Sequence, residues 1–357
     1  MRTAILYSKN ENSTYKNIGD YIQTIAAEQY FDNPEYVNLK KLSDYTPNDK
    51  TKLIMNGWFT AHPELWMPAD NIIPLFISFH ITPSCYDTIL NQKGIAYLKK
   101  WEPIGCRDIN TVEKILTNSG GGVNAYYSSC LTLTLGRKYT SHDRTDEVYF
   151  VDPYYPFVKN EKNRKSLLPV LFALPELLFH ANCIKKIAKR IHFTPNLPDS
   201  FKKIEALLRS ACFYRTYKSK FTDDCFIGAN YICHNVRIDG EDNRDDQLLL
   251  AKELICKYAS AKWVVTSRIH CALPCLGLNT PVIFTTVQNE SHSEGRFKGL
   301  IDFFRVCYIK GKTIQSDDEV LQSIGKIDTK TSFINKNNHL KYAENLIRAC
   351  EQFARLE

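Results

Sequence analysis

The stretch that most suggests chemistry interrupts an apolar run, residues 263–284, with Ser267-Arg268-Ile269-His270. A hydrophobic core gains nothing from a guanidinium beside an imidazole, because burying an unpaired charge is costly. An arginine can hold a phosphate or carboxylate through two parallel hydrogen bonds, and a histidine can give or take a proton near neutral pH. The stretch therefore predicts an anion site with proton-transfer chemistry, and we expect Arg268 and His270 to be the catalytic pair.

The local pattern places this stretch at the end of a buried strand. Trp263–Thr266 is typical of a strand, Pro281–Phe284 begins the next, and only a short helix fits between them. Pro274 predicts that this helix begins near Cys271, because proline is tolerated only in a first helical turn. In parallel sheets ligands bind beyond the carboxyl ends of strands. The competing interpretation is a surface ion pair and a histidine that caps a loop.

Length and charge limit the classes of protein that need to be considered. The chain has 357 residues, of which 44% are hydrophobic and 24% charged, so we expect a globular protein with two domains. Forty-six basic and 39 acidic residues give a net charge of +7. This mild excess suits an anionic substrate or membrane surface, and we expect no nucleic-acid partner.

Cysteine usage and the N-terminus bear on location and on metals. The 12 cysteines are scattered without a CxxC pair, which favours buried thiols in a reduced compartment over disulfides. Cys271 and Cys275 have no further ligands at matching spacing, so no metal site is expected. The N-terminal residues lack the pattern of a signal peptide, and no apolar run is long enough to cross a bilayer. We therefore expect a cytoplasmic protein.

Short β-branched or aromatic runs alternate with helical patterns, which favours an α/β fold with mostly parallel sheets. The charged stretch 137–146 is the best linker candidate, so we predict domains at 1–143 and 144–357. A last helix, 338–356, is expected to pack back on the first domain. The clearest predicted strands are Thr3–Tyr7, Lys52–Asn56, Ile73–His80, Glu147–Asp152, Tyr231–His234 and Val306–Ile309. The clearest predicted helices are Asn17–Phe31 and Asp245–Ala259.

One segment, 167–191, combines a dense apolar run with a basic amphipathic pattern. Residues 167–179 are almost entirely apolar, and in 183–191 the isoleucines fall on one helical face and the lysines on the other. This pattern is typical of a helix that lies in a membrane interface. An ordinary surface helix that packs on the core is the alternative. A peripheral contact with the inner face of the membrane is thus one of two interpretations.

These features together resemble the polysaccharide pyruvyl transferase family. The block 264–284 carries the most specific similarity, a Ser-Arg-x-His core followed by Gly-x-x-Thr-Pro-Val. Individually weaker similarities follow in the expected order at Asn17–Asp20, Asn56–Phe59, Pro74–Ile81, Gly105–Asp108, Ser128–Leu135 and Arg296–Phe303. The resemblance extends from the first predicted helix through most of the chain.

The resemblance implies a fold and a reaction. The expected fold is two Rossmann-like domains that face each other across a cleft in a GT-B-like arrangement. The expected reaction moves the enolpyruvyl unit of phosphoenolpyruvate onto a sugar of a cell-surface polysaccharide precursor, as in exopolysaccharide or capsule biosynthesis. The product is a pyruvate ketal, and phosphate is released. Phosphoenolpyruvate is then a co-substrate, no cofactor is required, and the acceptor is a sugar or a lipid-linked oligosaccharide.

The donor and acceptor residues follow from the same resemblance. Ser267, Arg268, Ile269 and His270 are expected to bind the donor, in the C-terminal domain. Phosphoenolpyruvate carries a phosphate and a carboxylate, which need cations, and its methylene carbon must gain a proton, which needs an acid. Arg296 is either a second anion clamp or a surface arginine.

The acceptor side is expected in the N-terminal domain and is less specific. For each residue a structural role competes with sugar binding: first-turn dipole stabilisation for Asp20, a satisfied histidine for His80 and His234, and core packing for Trp58. The predicted acceptor-binding residues are Gly19, Asp20, Asn56, Trp58, His80 and His234.

Two other functions remain open from sequence alone. The same architecture could serve a glycosyltransferase that uses a nucleotide sugar, although no distinctive acidic ribose motif is present. A non-catalytic sugar-binding relative could also keep the scaffold, since fold does not determine function. The intact Ser267-Arg268-x-His270 stretch favours the enzyme.

Overall fold

The chain folds into a mixed α/β structure built on parallel sheets, which confirms that part of the prediction. The computed structural model describes residues 1–8, 15–141, 143–157, 159–161, 164–191, 199–237, 243–287 and 297–356. The division at 143/144 and the GT-B-like arrangement of two domains stay predictions.

The strands are β1 (Arg2–Tyr7), β2 (Tyr15–Asn17), β3 (Glu35–Asn38), β4 (Thr51–Met55), β5 (Trp58–Phe59), β6 (Ile72–Phe76), β7 (His80–Ile81), β8 (Ile104–Cys106), β9 (Ala125–Tyr127), β10 (Val148–Val151), β11 (Lys159–Glu161), β12 (Arg164–Ser166), β13 (Asn230–Ile232), β14 (Asn235–Arg237), β15 (Trp263–Thr266), β16 (Val282–Val287), β17 (Arg305–Lys310) and β18 (Thr313–Gln315). The helices are α1 (Ile18–Glu28), α2 (Tyr86–Ile89), α3 (Gln92–Lys100), α4 (Ile109–Asn118), α5 (Leu168–Phe179), α6 (Ala181–Arg190), α7 (Asp199–Tyr217), α8 (Asp223–Gly228), α9 (Arg244–Ser260), α10 (Ile269–Gly277), α11 (Glu319–Ile324) and α12 (Leu340–Arg355).

Two parallel sheets organise the described residues. The first has strand order β3-β1-β4-β6, and the second has order β13-β10-β15-β16-β17-β18, with only β18 antiparallel. Because neighbouring parallel strands end at the same edge, the loops that follow them collect there. A short antiparallel pairing of β14 with β2 joins the second half of the chain to the first.

A single hydrophobic cluster is shared by the two halves of the chain. It includes Ile22 and Ile54 from the first half and Leu248 and Leu273 from the second, all buried. Separate clusters fill the far sides of the second and first sheets. The shared cluster holds α1 against α9 and α10 and so fixes the relative position of the residues at both sheet edges.

The predicted strand Ile73–His80 is wrong in its extent. The strand β6 ends at Phe76, and His80 instead opens β7, which pairs with β5. The break occurs because Ser78 adopts a φ of 55°, while its N–H donates to the Ser128 hydroxyl at 3.0 Å. A left-handed residue cannot continue an extended strand.

The last helix, α12, contacts the first sheet. The ammonium group of Lys52, on β4, is buried and donates hydrogen bonds to the carbonyl oxygens of Ala354 at 2.8 Å and Leu356 at 2.5 Å. A cation at the last carbonyls of a helix satisfies groups that have no intrahelical donor and complements the helix dipole.

Segment 167–191 forms α5 and α6. The apolar face of α6 is used inside the protein, because Ile184 and Ile187 are fully buried in the cluster beside the second sheet. Within the described ranges, no single helix is long and apolar enough to cross a membrane. The pair α5 and α6 would reach the required length and composition together, but the chain bends by 115° between them.

Candidate active site

The site begins where three neighbouring strands of the second sheet end. Asp152 follows β10, His234 lies just beyond β13, and Arg268 lies just beyond β15. One carboxylate oxygen of Asp152 accepts hydrogen bonds from the backbone N–H of His234 at 3.0 Å and from Nε of Arg268 at 2.9 Å. Asp152 adopts a φ of 41°, a strained value for a non-glycine residue. The three strand ends are therefore tied together at the expected edge.

Arg268 is held by one side of its guanidinium. Its side chain is 39% exposed, and Nε is engaged by Asp152. Within the described residues the two Nη atoms make no hydrogen bond. The backbone places the side chain there because Arg268 occupies the cap position before α10 and its N–H donates to the Thr266 hydroxyl at 2.9 Å. The terminal donors are thus available to an anion, in the planar geometry that suits a carboxylate or phosphate.

His270 is the second residue of α10, which begins at Ile269, two residues earlier than predicted. The helix is kinked at His270, where ψ is 15°, and this absorbs the disturbance that Pro274 brings to the next turn. As predicted, α10 is short: it ends at Gly277, and Asn279 reverses the chain with a φ of 57°. The compact strand–helix–strand unit therefore carries His270 on its buried first turn.

The imidazole of His270 is buried, and its two nitrogens have different surroundings. Nδ1 lies 3.6 Å from a carboxylate oxygen of Asp20 and 3.4 Å from the side-chain nitrogen of Gln23. Nε2 is buried and has no hydrogen-bond partner among the described residues. In the tautomer that carries its proton on Nδ1, that proton faces the Asp20 carboxylate, the Gln23 nitrogen makes no hydrogen bond to the ring, and Nε2 is a lone-pair acceptor. A buried polar atom without a partner is costly and is a mark of a site that a ligand completes.

Burial favours the neutral form of His270. Burial lowers the pKa of His270, the charges of Arg107 and His234 lower it further, and Asp20 works in the opposite direction. A histidine with a lowered pKa is uncharged at neutral pH and can accept a proton there.

Arg107 is a buried cation that the sequence analysis did not name individually. It follows β8, its backbone N–H donates to the Phe79 carbonyl at 2.9 Å, and its Nε has no hydrogen-bond partner among the described residues. Burial lowers the pKa of Arg107, while the carboxylates of Asp108 and Asp20 stabilise its charge. The first half of the chain thus contributes a guanidinium whose charge reaches both Asp20 and His270.

Two of the predicted donor residues have structural contacts. The Ser267 hydroxyl shares a hydrogen bond with Thr285 at 2.6 Å and accepts one from the Tyr154 N–H at 2.7 Å, so it ties β15 to its neighbours. The Ile269 side chain is buried in the shared hydrophobic cluster. Ser267 and Ile269 therefore fix the backbone on which Arg268 and His270 stand.

Gly19 brings α1 against two histidines. A Cβ at this position would lie 2.9 Å from Nδ1 of His234 and 3.2 Å from Cβ of His270, distances that real Cβ contacts hardly show. The His234 carbonyl accepts the Ile18 N–H at 2.9 Å, and Nε2 of His234 is hydrogen-bonded to the Tyr258 hydroxyl at 2.7 Å. Gly19 and His234 therefore form the contact between the two halves beneath the site.

A cavity of about 160 Å³ opens at the carboxyl ends of the first sheet. Its lining includes Asp20, Gln23, Asn56 and Trp58. The Asn56 side chain donates to the Gln23 carbonyl at 2.9 Å, and the Trp58 indole donates to the Thr82 hydroxyl at 2.7 Å. Asp20 is oriented by an Asn17 side-chain amide at 3.1 Å. Asp20 and Gln23 line this cavity and also contact His270, so they connect it to the charged cluster.

His80 lies apart from this arrangement. It is buried, its Nδ1 is 2.5 Å from the Asp108 carboxylate, and its ring is stacked 6.1 Å from that of Trp58. Burial alone would raise the pKa of Asp108, but the hydrogen bonds and charges of His80, Arg107 and Thr111 outweigh it and keep that pKa below its usual value. His80 thus supports Trp58 and the start of α4, which Asp108 caps.

The predicted donor residue Arg296 lies outside the described residues. In the part of the chain that is described, no three His, Cys, Asp or Glu side chains come together as a metal site. All 12 cysteines are free thiols, and ten of them are buried.

The fold and site define an α/β protein with cations and a proton acceptor at the carboxyl ends of its parallel strands. Residues 17–289 match the polysaccharide pyruvyl transferase family. The match covers most of the chain, so the protein belongs to that family, and the resemblance seen in the sequence is confirmed. Membership makes it a transferase of the pyruvyl-transfer class that acts on polysaccharide.

Comparisons with individual proteins add little. No functionally curated protein matches the chain. A functionally uncharacterized protein from Klebsiella pneumoniae is 12% identical, with 87% of this chain and 93% of that one covered and a TM-score of 0.38. The E. coli heptosyltransferase WaaC with ADP is also 12% identical, with 99% and 100% covered and a TM-score of 0.28. Similarities of this size carry no argument about substrate or domain arrangement.

Proposed function

We propose that this protein transfers the enolpyruvyl unit of phosphoenolpyruvate onto a sugar of a cell-surface polysaccharide precursor, forming a pyruvate ketal and releasing phosphate. The observation that carries the proposal is the buried Nε2 of His270, which has no partner among the described residues. The charges of Arg107 and Asp20 act on this ring, Arg268 precedes it at the start of the same helix, and Asp20 also lines the cavity. Such a site supplies positive charge and a proton acceptor together, which is what addition of an alcohol to a charged enol ester requires.

The donor is held by charge. Phosphoenolpyruvate is a polyanion, and the available Nη donors of Arg268 suit one of its two acidic groups. The first N–H groups of α10 have no intrahelical acceptor and add a favourable dipole. The first half of the chain adds the buried charge of Arg107, which acts on Asp20 and His270. Because these groups balance much of the donor's charge, we propose that the reaction requires no metal and no cofactor.

His270 moves the proton in the first step. Its neutral ring accepts the proton of an attacking sugar hydroxyl at Nε2 and gives a proton to the methylene carbon of phosphoenolpyruvate, which becomes a methyl group. The hydroxyl oxygen bonds to the adjacent carbon. Asp20, which faces Nδ1, stabilises the imidazolium between these two events. Arg268 and His270 are therefore the proposed catalytic residues.

The second step closes the ketal. A second sugar hydroxyl attacks the same carbon, the bond to the phosphate oxygen breaks, and the hydroxyl proton leaves with the phosphate. The two hydroxyl protons thus end on the methyl group and on phosphate, and nothing is oxidised or reduced. The acceptor occupies the cavity beside Asp20, where Asn56 and Trp58 provide an amide and an aromatic face for a hexose ring.

The remaining features of the proposal concern setting. A cytoplasmic location, a lipid-linked oligosaccharide acceptor and a GT-B-like pair of Rossmann domains all fit a transferase that acts on polysaccharide precursors. The mild positive charge of the chain is compatible with anionic substrates.

Incubation of the purified protein with phosphoenolpyruvate and a panel of hexosides tests the proposal. The expected result is one hexoside carrying a pyruvate ketal by mass spectrometry, together with an equal amount of released phosphate. The same yield in chelator-treated samples is expected if no metal takes part.

A second measurement separates failure of the acceptor from failure of the donor. Phosphoenolpyruvate should raise the midpoint of thermal unfolding, because a ligand that binds only the folded state stabilises it. Arg268→Ala should remove that shift. Stabilisation by UDP- or GDP-sugars, and none by phosphoenolpyruvate, would contradict the proposal.

A further inference from the structure

The helix α5 is apolar on the side that faces solvent. Its exposed residues recur at helical spacing on one face, and none of them is polar or charged. Leu178 and Phe179 are 81% and 80% exposed. The exposed set is Leu168, Leu171, Phe172, Leu174, Pro175, Leu178 and Phe179. Soluble proteins rarely leave such a contiguous apolar surface uncovered unless something binds there.

The polarity of α5 is inverted relative to an ordinary surface helix, because its only charged side chain faces inward. Glu176 is buried, with its side chain 7% exposed, and its carboxylate pairs with the Lys218 ammonium at 2.5 Å. Nε2 of His180 lies 3.8 Å from the same carboxylate. A helix that packs on a protein core normally turns its apolar side inward. The inward face of α5 instead carries the ion pair, Ala173 and Leu177. The other leucines and both phenylalanines of α5 are exposed.

Cations border this apolar face at two places. In the N-terminal half of α5 the guanidinium of Arg215 and the ammonium of Lys312 lie over the Phe172 ring. After the C-terminal end, α6 begins at Ala181 and exposes Lys185, Lys186 and Lys189. Lys202 and Lys203 of α7 line an open cleft together with these three lysines.

We propose that α5 is a docking surface for an anionic lipid bilayer, with its outer face in the interface and the flanking lysines on lipid phosphates. Helices that lie in a membrane interface combine an apolar face with basic flanks in this way. The 12 residues of α5 extend for roughly 18 Å, so the helix can lie along a membrane surface but cannot cross it. The 115° bend to α6 turns the chain out of that plane.

Charge complementarity selects a bilayer over a protein partner. In segment 167–191 four basic side chains accompany a single carboxylate, and that carboxylate is neutralised inside the protein. On the neighbouring helix α8, Asp223 and Asp224 are exposed carboxylates, and Asp223 accepts a hydrogen bond from the Tyr214 hydroxyl at 2.8 Å. Each lysine near an anionic membrane surface adds to binding, whereas an apolar face alone would not distinguish lipid from protein.

The proposed docking of α5 on a bilayer does not depend on the pyruvyl-transfer reaction, so it can be tested without substrate. Full-length protein is sedimented with phosphatidylcholine vesicles that contain about one-third phosphatidylglycerol, and with vesicles of phosphatidylcholine alone. The expected result is sedimentation with the anionic vesicles that weakens as salt is raised. A variant with Leu171→Ser, Leu178→Ser and Phe179→Ser should lose at least tenfold in partition onto them.

Matched variants keep the test decisive. Leu249→Ser and Ile334→Ser remove equally exposed apolar side chains elsewhere and should leave the partition unchanged. Lys185→Gln with Lys186→Gln and Lys189→Gln should weaken binding to anionic vesicles selectively. Unfolding midpoints confirm that every variant folds. Failure of the wild type to sediment, or unchanged sedimentation of the α5 variant, would overturn the proposal, as would a wild-type dimer that the α5 variant converts to monomer without any lipid binding.

Discussion

The carboxyl-terminal edges of the two sheets carry different groups, although the strands that end there are parallel in both sheets. At the second sheet, Asp152, His234 and Arg268 are joined by hydrogen bonds of 2.9–3.0 Å, and His270 stands beside them. At the first sheet, the corresponding edge is a cavity whose lining is mostly uncharged and includes Asn56 and Trp58. One edge is a set of fixed charges, and the other is a shaped space.

This difference matches the chemistry of the two proposed substrates. A small polyanion is recognised by a few charges in fixed geometry, whereas a sugar is recognised by hydrogen bonds and an aromatic face distributed over its surface. Substitutions at the second sheet should therefore affect the donor and the chemical step, and substitutions at the first should affect the acceptor. Asp20 contacts both regions, so its substitution should affect the acceptor as well as the chemical step.

The largest effect is expected from His270→Gln. If Nε2 carries the proton in transfer, kcat should fall about a hundredfold to ten-thousandfold, with little change in KM for either substrate. The measurement is the initial rate of phosphate release with a hexoside that accepts pyruvate. A kcat within a few-fold of the wild type would remove His270 from the chemical step.

A smaller loss is expected from Arg268→Ala, in kcat/KM for phosphoenolpyruvate. Removal of a charged partner costs about 2–5 kcal/mol, or roughly thirtyfold to several thousandfold, and the 39% exposure of Arg268 favours the lower end of that range. Arg268→Lys should recover part of this loss, because it restores the charge without the planar pair of donors. Arg348→Ala, an exposed arginine on α12, is the matched control and should behave as wild type.

At the first sheet, Trp58→Leu should raise KM for the acceptor by about tenfold, the size of one aromatic contact, and leave KM for phosphoenolpyruvate unchanged. Trp101→Leu, at the end of α3, is the control because Trp101 does not line the cavity. If Trp58→Leu raised KM for the acceptor and KM for phosphoenolpyruvate equally, the two sheet edges would not be separate in function.

The finest test concerns the pH dependence of kcat/KM. Burial, Arg107 and His234 hold the pKa of His270 below its usual value, and Asp20 raises it. Because the neutral ring is the active form, activity should fall as the pH drops through that pKa. Asp20→Asn should move the acid limb to lower pH, and Arg107→Gln should move it to higher pH. Shifts in the same direction would contradict the assignment.

The same burial ties stability to pH. His270 has a lower pKa in the folded chain than in the unfolded chain, so the unfolded chain takes up the proton at a higher pH. The contribution of neutral His270 to the free energy of unfolding is therefore fully present above the pKa of the unfolded chain. It is lost as the pH falls through the pKa of the folded chain. In urea titrations below neutral pH, His270→Gln should flatten this dependence.

Much of the strand that precedes Arg268 and His270 was predictable. Trp263–Thr266 is a strand with the predicted bounds, because a buried β-branched run followed by a short helical stretch has few alternative structures. Arg268 and His270 stood out because charged and titratable residues are unexpected between buried strands.

Other site residues could not be found from local pattern. Asp152 and Arg107 are single charged residues that follow buried strands, and their meaning depends on strand order and on the packing of α1, which bring distant segments together. Arg107 lay within a stretch, Gly105–Asp108, that already resembled the family, so that signal was present but unspecific. The outward apolar face of α5 was also hidden, since composition does not reveal which side of a helix the protein covers.

The hydrogen bond from the Ile18 N–H to the His234 carbonyl has a mechanical consequence. Together with the pairing of β14 and β2, it joins the two halves of the chain next to the candidate site. Moving the halves apart would break these hydrogen bonds and expose the shared apolar cluster to water. We therefore expect substrates to enter through openings that already exist, and the turnover rate should not depend on solvent viscosity beyond its effect on diffusion.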